Sequence, residues 1–130
     1  MNIFEIYQKK IKDLILLMKK NGLIQAPENL NSINVDIPPV QFDSDISTNV
    51  AMVLSKINKS NPLDLAKKIE KDLKENDSNI SKIDIVKPGF INIKFKSSFW
   101  NDFLKEIITN YKNFGKNQNE VKKKYIIEFV

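Results

Sequence analysis

The sequence predicts an α+β domain in two layers, with helices packed on one face of a small, mostly antiparallel four-stranded sheet. Three observations carry this expectation. Apolar residues recur at spacings of three and four in four separate stretches, the period of amphipathic helices. Between the third and fourth stretch, Ile83 to Phe95 alternates apolar and polar residues on both sides of Pro88-Gly89, as a β-hairpin does. Hydrophobic residues make up 42% of the 130, enough for one core of ordinary domain size.

The elements follow in order. In residues 2–20, Phe4, Tyr7, Ile11, Leu14 and Met18 share a helical face, with Ile15 beside them. Lys19 and Lys20 fall in the last turn, where cations offset the helix dipole, and Asn21-Gly22 stops the helix. Residues 23–32 read as loop. Short strands are expected at Ile33–Asp36 and Val40–Phe42, parted by Pro38-Pro39. Asp43 and Asp45 read as capping residues for a helix that starts near Ser47 and buries Val50, Ala51, Leu54 and Ile57. Asn61-Pro62 opens the next helix as N-cap and first helical residue. Leu65, Ala66, Ile69 and Leu73 form its stripe, and Asp64–Lys68 and Glu70–Lys74 are favourable i,i+4 pairs.

Pro88-Gly89 predicts a type II turn, with Gly89 accepting the positive φ. On the return strand Ile91, Ile93 and Phe95 face the core, while Phe90, Asn92, Lys94 and Lys96 face solvent. Ser97-Ser98 cap a last helix that buries Trp100, Phe103, Leu104, Ile107, Ile108 and Tyr111 and closes at Asn113-Phe114-Gly115. Residues 1–115 are thus read as one domain. Residues 116–124, with Lys122-Lys123-Lys124, read as a linker, and Tyr125–Val130 as a strand. One strand cannot bury itself, so it is expected either to pair back into the preceding sheet or to belong to a longer protein.

Composition excludes much chemistry. All 21 basic residues are Lys, against 16 acids, for a net +5; Arg, His and Cys are absent. That removes a disulfide framework, a Cys nucleophile, a Cys/His zinc site, a His general base and a bidentate Arg clamp. The only glycines are Gly22, Gly89 and Gly115, so there is no Gly-rich phosphate loop. No apolar run is long enough to span a membrane, and no leader precedes an apolar core, so a cytoplasmic domain is expected. Residues 61–130 hold 14 of the 21 Lys, which places any polyanion surface in the second half. The positive excess also fits a codon bias towards Lys, Asn and Ile.

One constellation has chemistry of its own. An exposed aromatic such as Phe90 can stack on an unpaired base, the amide of Asn92 can meet a base edge, and Lys94 and Lys96 can meet phosphates. The same residues are also compatible with Phe90 packing on a loop beside solvated neighbours. Asp43 and Asp45 have no His or further acid near them and suit capping better than catalysis or metal binding.

Four stretches in register resemble the N-terminal additional domain of arginyl-tRNA synthetases. Val40-Gln41-Phe42 with Asp45-Ile46-Ser47-Thr48-Asn49-Val50-Ala51-Met52 is similar to that family's VQF-GDYATN-AM block. Lys87-Pro88-Gly89-Phe90-Ile91-Asn92-Ile93 is similar to its PGFIN hairpin, and Phe114-Gly115 to the pair that closes the domain. Ile127-Glu128-Phe129-Val130 resembles the first strand of the class I catalytic domain, making residues 116–130 the linker and that strand. Ser44 and Ile46 depart from the Gly and Tyr of the block. The resemblance implies an accessory domain that binds the D-loop of the arginine-accepting tRNA at its outer corner, in a monomeric ligase. It implies ATP and Mg for the parent and none for this segment, whose HxGH-type signature lies beyond Val130. By position, Phe90 and Asn92 meet a D-loop base with Lys87 at the adjoining turn, and Glu128 meets substrate arginine in the full-length parent. Two other readings stay open: a structural module that only packs on the catalytic domain, and an unrelated nucleic-acid-binding domain.

Overall fold

The computed structural model describes residues 2–114, with side chains described as far as Tyr111. The fold is α+β. Four helices, α1 (Ile3–Lys20), α2 (Val50–Leu54), α3 (Pro62–Asn76) and α4 (Ser97–Phe114), accompany four strands among the described residues. The strands are β1 (Val35–Asp36), β2 (Ile46–Thr48), β3 (Ile80–Val86) and β4 (Phe90–Phe95), in one sheet of order β1-β2-β4-β3 with every pairing antiparallel. Residues 3–95 form one compact unit, and residues 96–114 belong to a second.

In the first unit α1 and α3 arise where the spacing placed them. The buried face of α1 is Ile3, Tyr7, Ile11, Leu14, Ile15 and Met18, with Phe4 only half-buried. Gly22 ends it at φ +74°, a conformation that costs a residue without Cβ little. At the start of α3 the Asn61 side chain accepts from Leu63 N at 2.9 Å, with Pro62 in the first turn. Leu65, Ala66, Ile69 and Leu73 are its buried stripe, and Lys74–Glu70 lies at 3.9 Å. Ile91 and Ile93 are fully buried at the centre of β4, and the Tyr7 ring lies 4.6 Å from that of Phe95. One side of β4 therefore belongs to the core, as its alternation predicts.

Three local expectations are corrected. The segment Val40–Phe42 is not a strand: Pro38 and Pro39 have no N–H for a ladder, and the chain turns instead, with Phe42 N donating to Pro39 O at 3.0 Å. The second strand is β2, which pairs Ile46, Ser47 and Thr48 with Ile93, Asn92 and Ile91. The helix expected from Ser47 accordingly begins at Val50, is only five residues long, and leaves Ile57 40% exposed. Asp43 and Asp45 do not cap it. Asp45 instead extends the β2–β4 contact, its N–H donating to Ile93 O at 2.8 Å and its carboxylate accepting from Phe95 N at 2.8 Å.

The hairpin turn also differs in type. Gly89 N donates to Val86 O at 2.9 Å, so Pro88 occupies the third turn position, and the Lys87–Pro88 peptide is cis: this is a type VI turn. Gly89 is needed for room rather than for a positive φ. A Cβ there would lie 2.7 Å from Pro62 Cβ and 3.1 Å from Met52 Cγ.

In the second unit, α4 carries its own aromatic cluster. Phe99 stacks on Phe103 with centroids 5.8 Å apart, and Trp100 meets both edge-on. The expected stripe is only partly buried: Phe103 is 8% exposed, but Leu104 and Ile108 are 39% and 53% exposed.

Candidate nucleic-acid site

The other face of β4 carries Phe90, Asn92 and Lys94. Their positions follow from the period of two, since side chains one residue apart point to opposite sides. Asn92 sits in register between Ser47 of β2 and Asp84 of β3, and Phe90 lies opposite Val86. Phe90 is 39% exposed, as a stacking surface requires.

Asn92 is corrected in one respect: it is not on a solvated face but 1% exposed. Alternation tells which face a side chain takes, but not what else covers that face. Here the β1–β2 loop lines a cleft with Asn92. Asp36, Asn49 and, from that loop, Ile37, Pro39 and Phe42 line this cleft together with Val86, Lys87 and Phe90 of the hairpin. Asn92 and Ser47 line it as well. The Asn92 side-chain oxygen is buried and has no hydrogen-bond partner. A buried acceptor left unpaired costs roughly 1–3 kcal/mol, so the position is an energetic debt in the free domain. Sequence reasoning missed Ile37, Pro39 and Phe42. The signal available was Pro38-Pro39, which argues for a loop at that place.

The lysines differ among themselves. Lys87 is exposed and lines the cleft. Lys96 is exposed. Lys94 is engaged, its ammonium donating to Asp43 Oδ1. The hydrogen bond and charge of Lys94 hold the Asp43 carboxyl below its usual range, and the hydrogen bond to Asp43 raises the Lys94 ammonium in turn. Both groups are solvent-screened, so the pair adds little to the stability of the fold. Lys82 pairs with Asp84 at 3.3 Å on the neighbouring strand. Lys122-Lys123-Lys124 and Glu128 lie outside the described residues.

Fold and cleft together define a small α+β domain with an apolar slot and one unsatisfied amide oxygen in its lining. Comparison with known proteins gives the particular family. Residues 5–95 match the family described as the arginyl tRNA synthetase N terminal domain. The chain is 55% identical over 130 residues to an arginine–tRNA ligase of Pelagibacter ubique, covering 100% of this chain and 22% of that one. It is 42% identical, at the same coverage, to an arginine–tRNA ligase of Bartonella quintana. It also resembles the crystal structure of arginyl-tRNA synthetase from Plasmodium falciparum at TM-score 0.61 and 18% identity, covering 81% of this chain and 18% of that one, a likeness of fold. The chain belongs to the arginyl-tRNA synthetase N-terminal domain family. It spans about a fifth of the length of the ligases it matches.

Proposed function

We propose that this chain is the tRNA-binding accessory domain of an arginine–tRNA ligase and that it meets the D-loop at the corner of the tRNA. The full-length protein attaches arginine to its tRNA with ATP and Mg, in the cytoplasm and as a monomer. That chemistry is not carried by these residues: the chain has no His and so cannot hold an HxGH-type signature. Its part is to bind and position.

The observation that carries this reading is the Asn92 side-chain oxygen, buried and unpartnered in a cleft beside an exposed aromatic ring. A nucleobase answers both needs. Its π-face stacks on Phe90, and a ring N–H or an amino group on its edge donates to Asn92. Lys87, Lys94 and Lys96 then serve the flanking phosphates. Glu128, in the full-length ligase, is reserved for the guanidinium of substrate arginine, which a carboxylate can accept bidentately.

The test is Phe90→Ala in the full-length protein. tRNA affinity should fall by about 1–3 kcal/mol, the usual worth of a base on an aromatic, with the thermal midpoint little changed. If affinity holds and the midpoint drops, the domain is a structural module that packs without reading tRNA.

A further inference from the structure

We infer that Lys59, held in a left-handed turn between α2 and α3, is a phosphate contact that extends the tRNA surface past the hairpin tip. The inference rests on the D-loop reading above and adds a residue to it. Lys59 has φ 48°, and among the described residues no other non-glycine residue has a positive φ. A residue with a Cβ loses free energy there that glycine does not. The turn itself is a common way to end a helix. Asn58 N donates to Leu54 O at 3.2 Å, Lys59 N to Lys56 O at 3.1 Å and Ser60 N to Ser55 O at 3.1 Å.

The chain builds the same turn at the end of α1, and there the left-handed residue is glycine. Asn21 N donates to Leu17 O at 3.0 Å, Gly22 N to Lys19 O at 3.1 Å and Leu23 N to Met18 O at 3.0 Å. Backbone geometry therefore gives no reason for a lysine at the second turn. Codon bias gives none either, because Asn is a product of the same bias and tolerates this conformation better. Strain kept at one turn and avoided at its twin points to a use for the side chain.

Position and charge say which use. Lys59 and its turn neighbour Lys56 are exposed, and neither has an ion-pair partner among the described residues. Pro62 follows three residues after Lys59, which puts the two Cα atoms within about 11 Å. The hairpin tip lies against Pro62, since a Cβ at Gly89 would be 2.7 Å from the Pro62 Cβ. Lys87 and Phe90 flank that tip. The strained turn thus adjoins the hairpin through Pro62. A single ammonium holds a free anion weakly, so the fitting partner is a backbone phosphate of the RNA already seated at Phe90 and Asn92.

The experiment titrates tRNA into full-length protein across a salt series and reads amide exchange at Ser60, whose N–H closes the turn. Lys59→Gly removes both charge and strain, Lys59→Gln removes the charge alone, and Lys59→Arg keeps both. Lys59→Gly should raise the protection of the Ser60 amide. Lys59→Gly and Lys59→Gln should each weaken binding about fivefold near 0.1 M salt and flatten the salt slope by about one, while Lys59→Arg binds as the unaltered protein does. If Phe90→Ala weakens binding while Lys59→Gly and Lys59→Gln leave affinity and slope unchanged, Lys59 lies outside the interface and the base reading stands without it. If none of these variants changes binding, both fall together. A Ser60 amide no better protected in Lys59→Gly removes the strain, and the inference with it.

Discussion

Asn92 shows at the scale of one residue how a buried polar group conflicts with folding. Every neighbour on the core side of β4 is apolar and satisfied: Ile91 and Ile93 are fully buried and demand nothing of water. Asn92, one position away from each, is as well buried but keeps an unpaired oxygen. An apolar residue of similar shape would serve the fold better, because it would remove the penalty rather than pay it. Elsewhere this chain uses the same residue type with full satisfaction. Asn49 accepts from Asn34 N at 2.8 Å and donates to Ser32 O, and Asn58 binds the Gln25 backbone through both ends of its amide. The contrast supports the binding role proposed for Asn92. Asn92→Leu should therefore raise the stability of the domain by about 1 kcal/mol while removing tRNA binding. Denaturant midpoints and tRNA titration of the same variant check both halves; a destabilised Asn92→Leu protein that still binds would return the residue to the scaffold.

At the scale of elements, the hairpin was the most legible part of the sequence and still hid its own constraint. The alternation Ile91, Ile93, Phe95 identifies the buried face, because a one-residue slip would turn those side chains to water. Helices α1 and α3 were equally open to reading, through their stripes and through Asn61-Pro62. What could not be read was set by distant chain. The short strand β2 exists because Ile46–Thr48 finds β4, not because of its own propensity, and Val40–Phe42 has similar residues and no partner. The cleft lining is a matter of the same kind, since nothing local to Phe42 announces that it shares a cleft with Phe90. Gly89 illustrates the point once more. A glycine after proline suggests a positive φ, yet the limiting contact is with Pro62, 27 residues away in the sequence. Gly89→Ala should cost about 1–3 kcal/mol by forcing the hairpin tip off α3, and it should weaken tRNA binding as well, because Lys87 and Phe90 flank that tip. Thermal unfolding gives the first quantity and tRNA titration the second. An Ala variant as stable as the parent would mean that the tip has slack.

At the scale of the whole molecule, the net +5 sets how the domain approaches a polyanion. With Lys as its only cation, the chain offers compact point charges and no planar fork, so it can attract phosphates without fixing their orientation. On the proposed function, orientation comes from Phe90 and Asn92, while the lysines supply range and salt dependence. Each phosphate neutralised releases counterions, so the logarithm of the tRNA affinity should fall linearly with the logarithm of salt concentration. Lys87→Ala and Lys96→Ala should each flatten that slope by about one. Lys94 is a different case, because Asp43 already holds its ammonium. Removing Lys94 would leave a bare carboxylate beside the tRNA, so its effect on affinity mixes a lost attraction with a new repulsion. Asp43→Asn is the cleaner change: it frees Lys94 for a phosphate and deletes one opposing charge. It should strengthen binding at low salt and steepen the slope by up to about one, with the advantage fading as salt screens both groups. Titrations across a salt series decide the matter. A slope that ignores Asp43→Asn, with Lys87→Ala and Lys96→Ala behaving as stated, would place Lys94 inside the fold's own electrostatics and outside the tRNA interface.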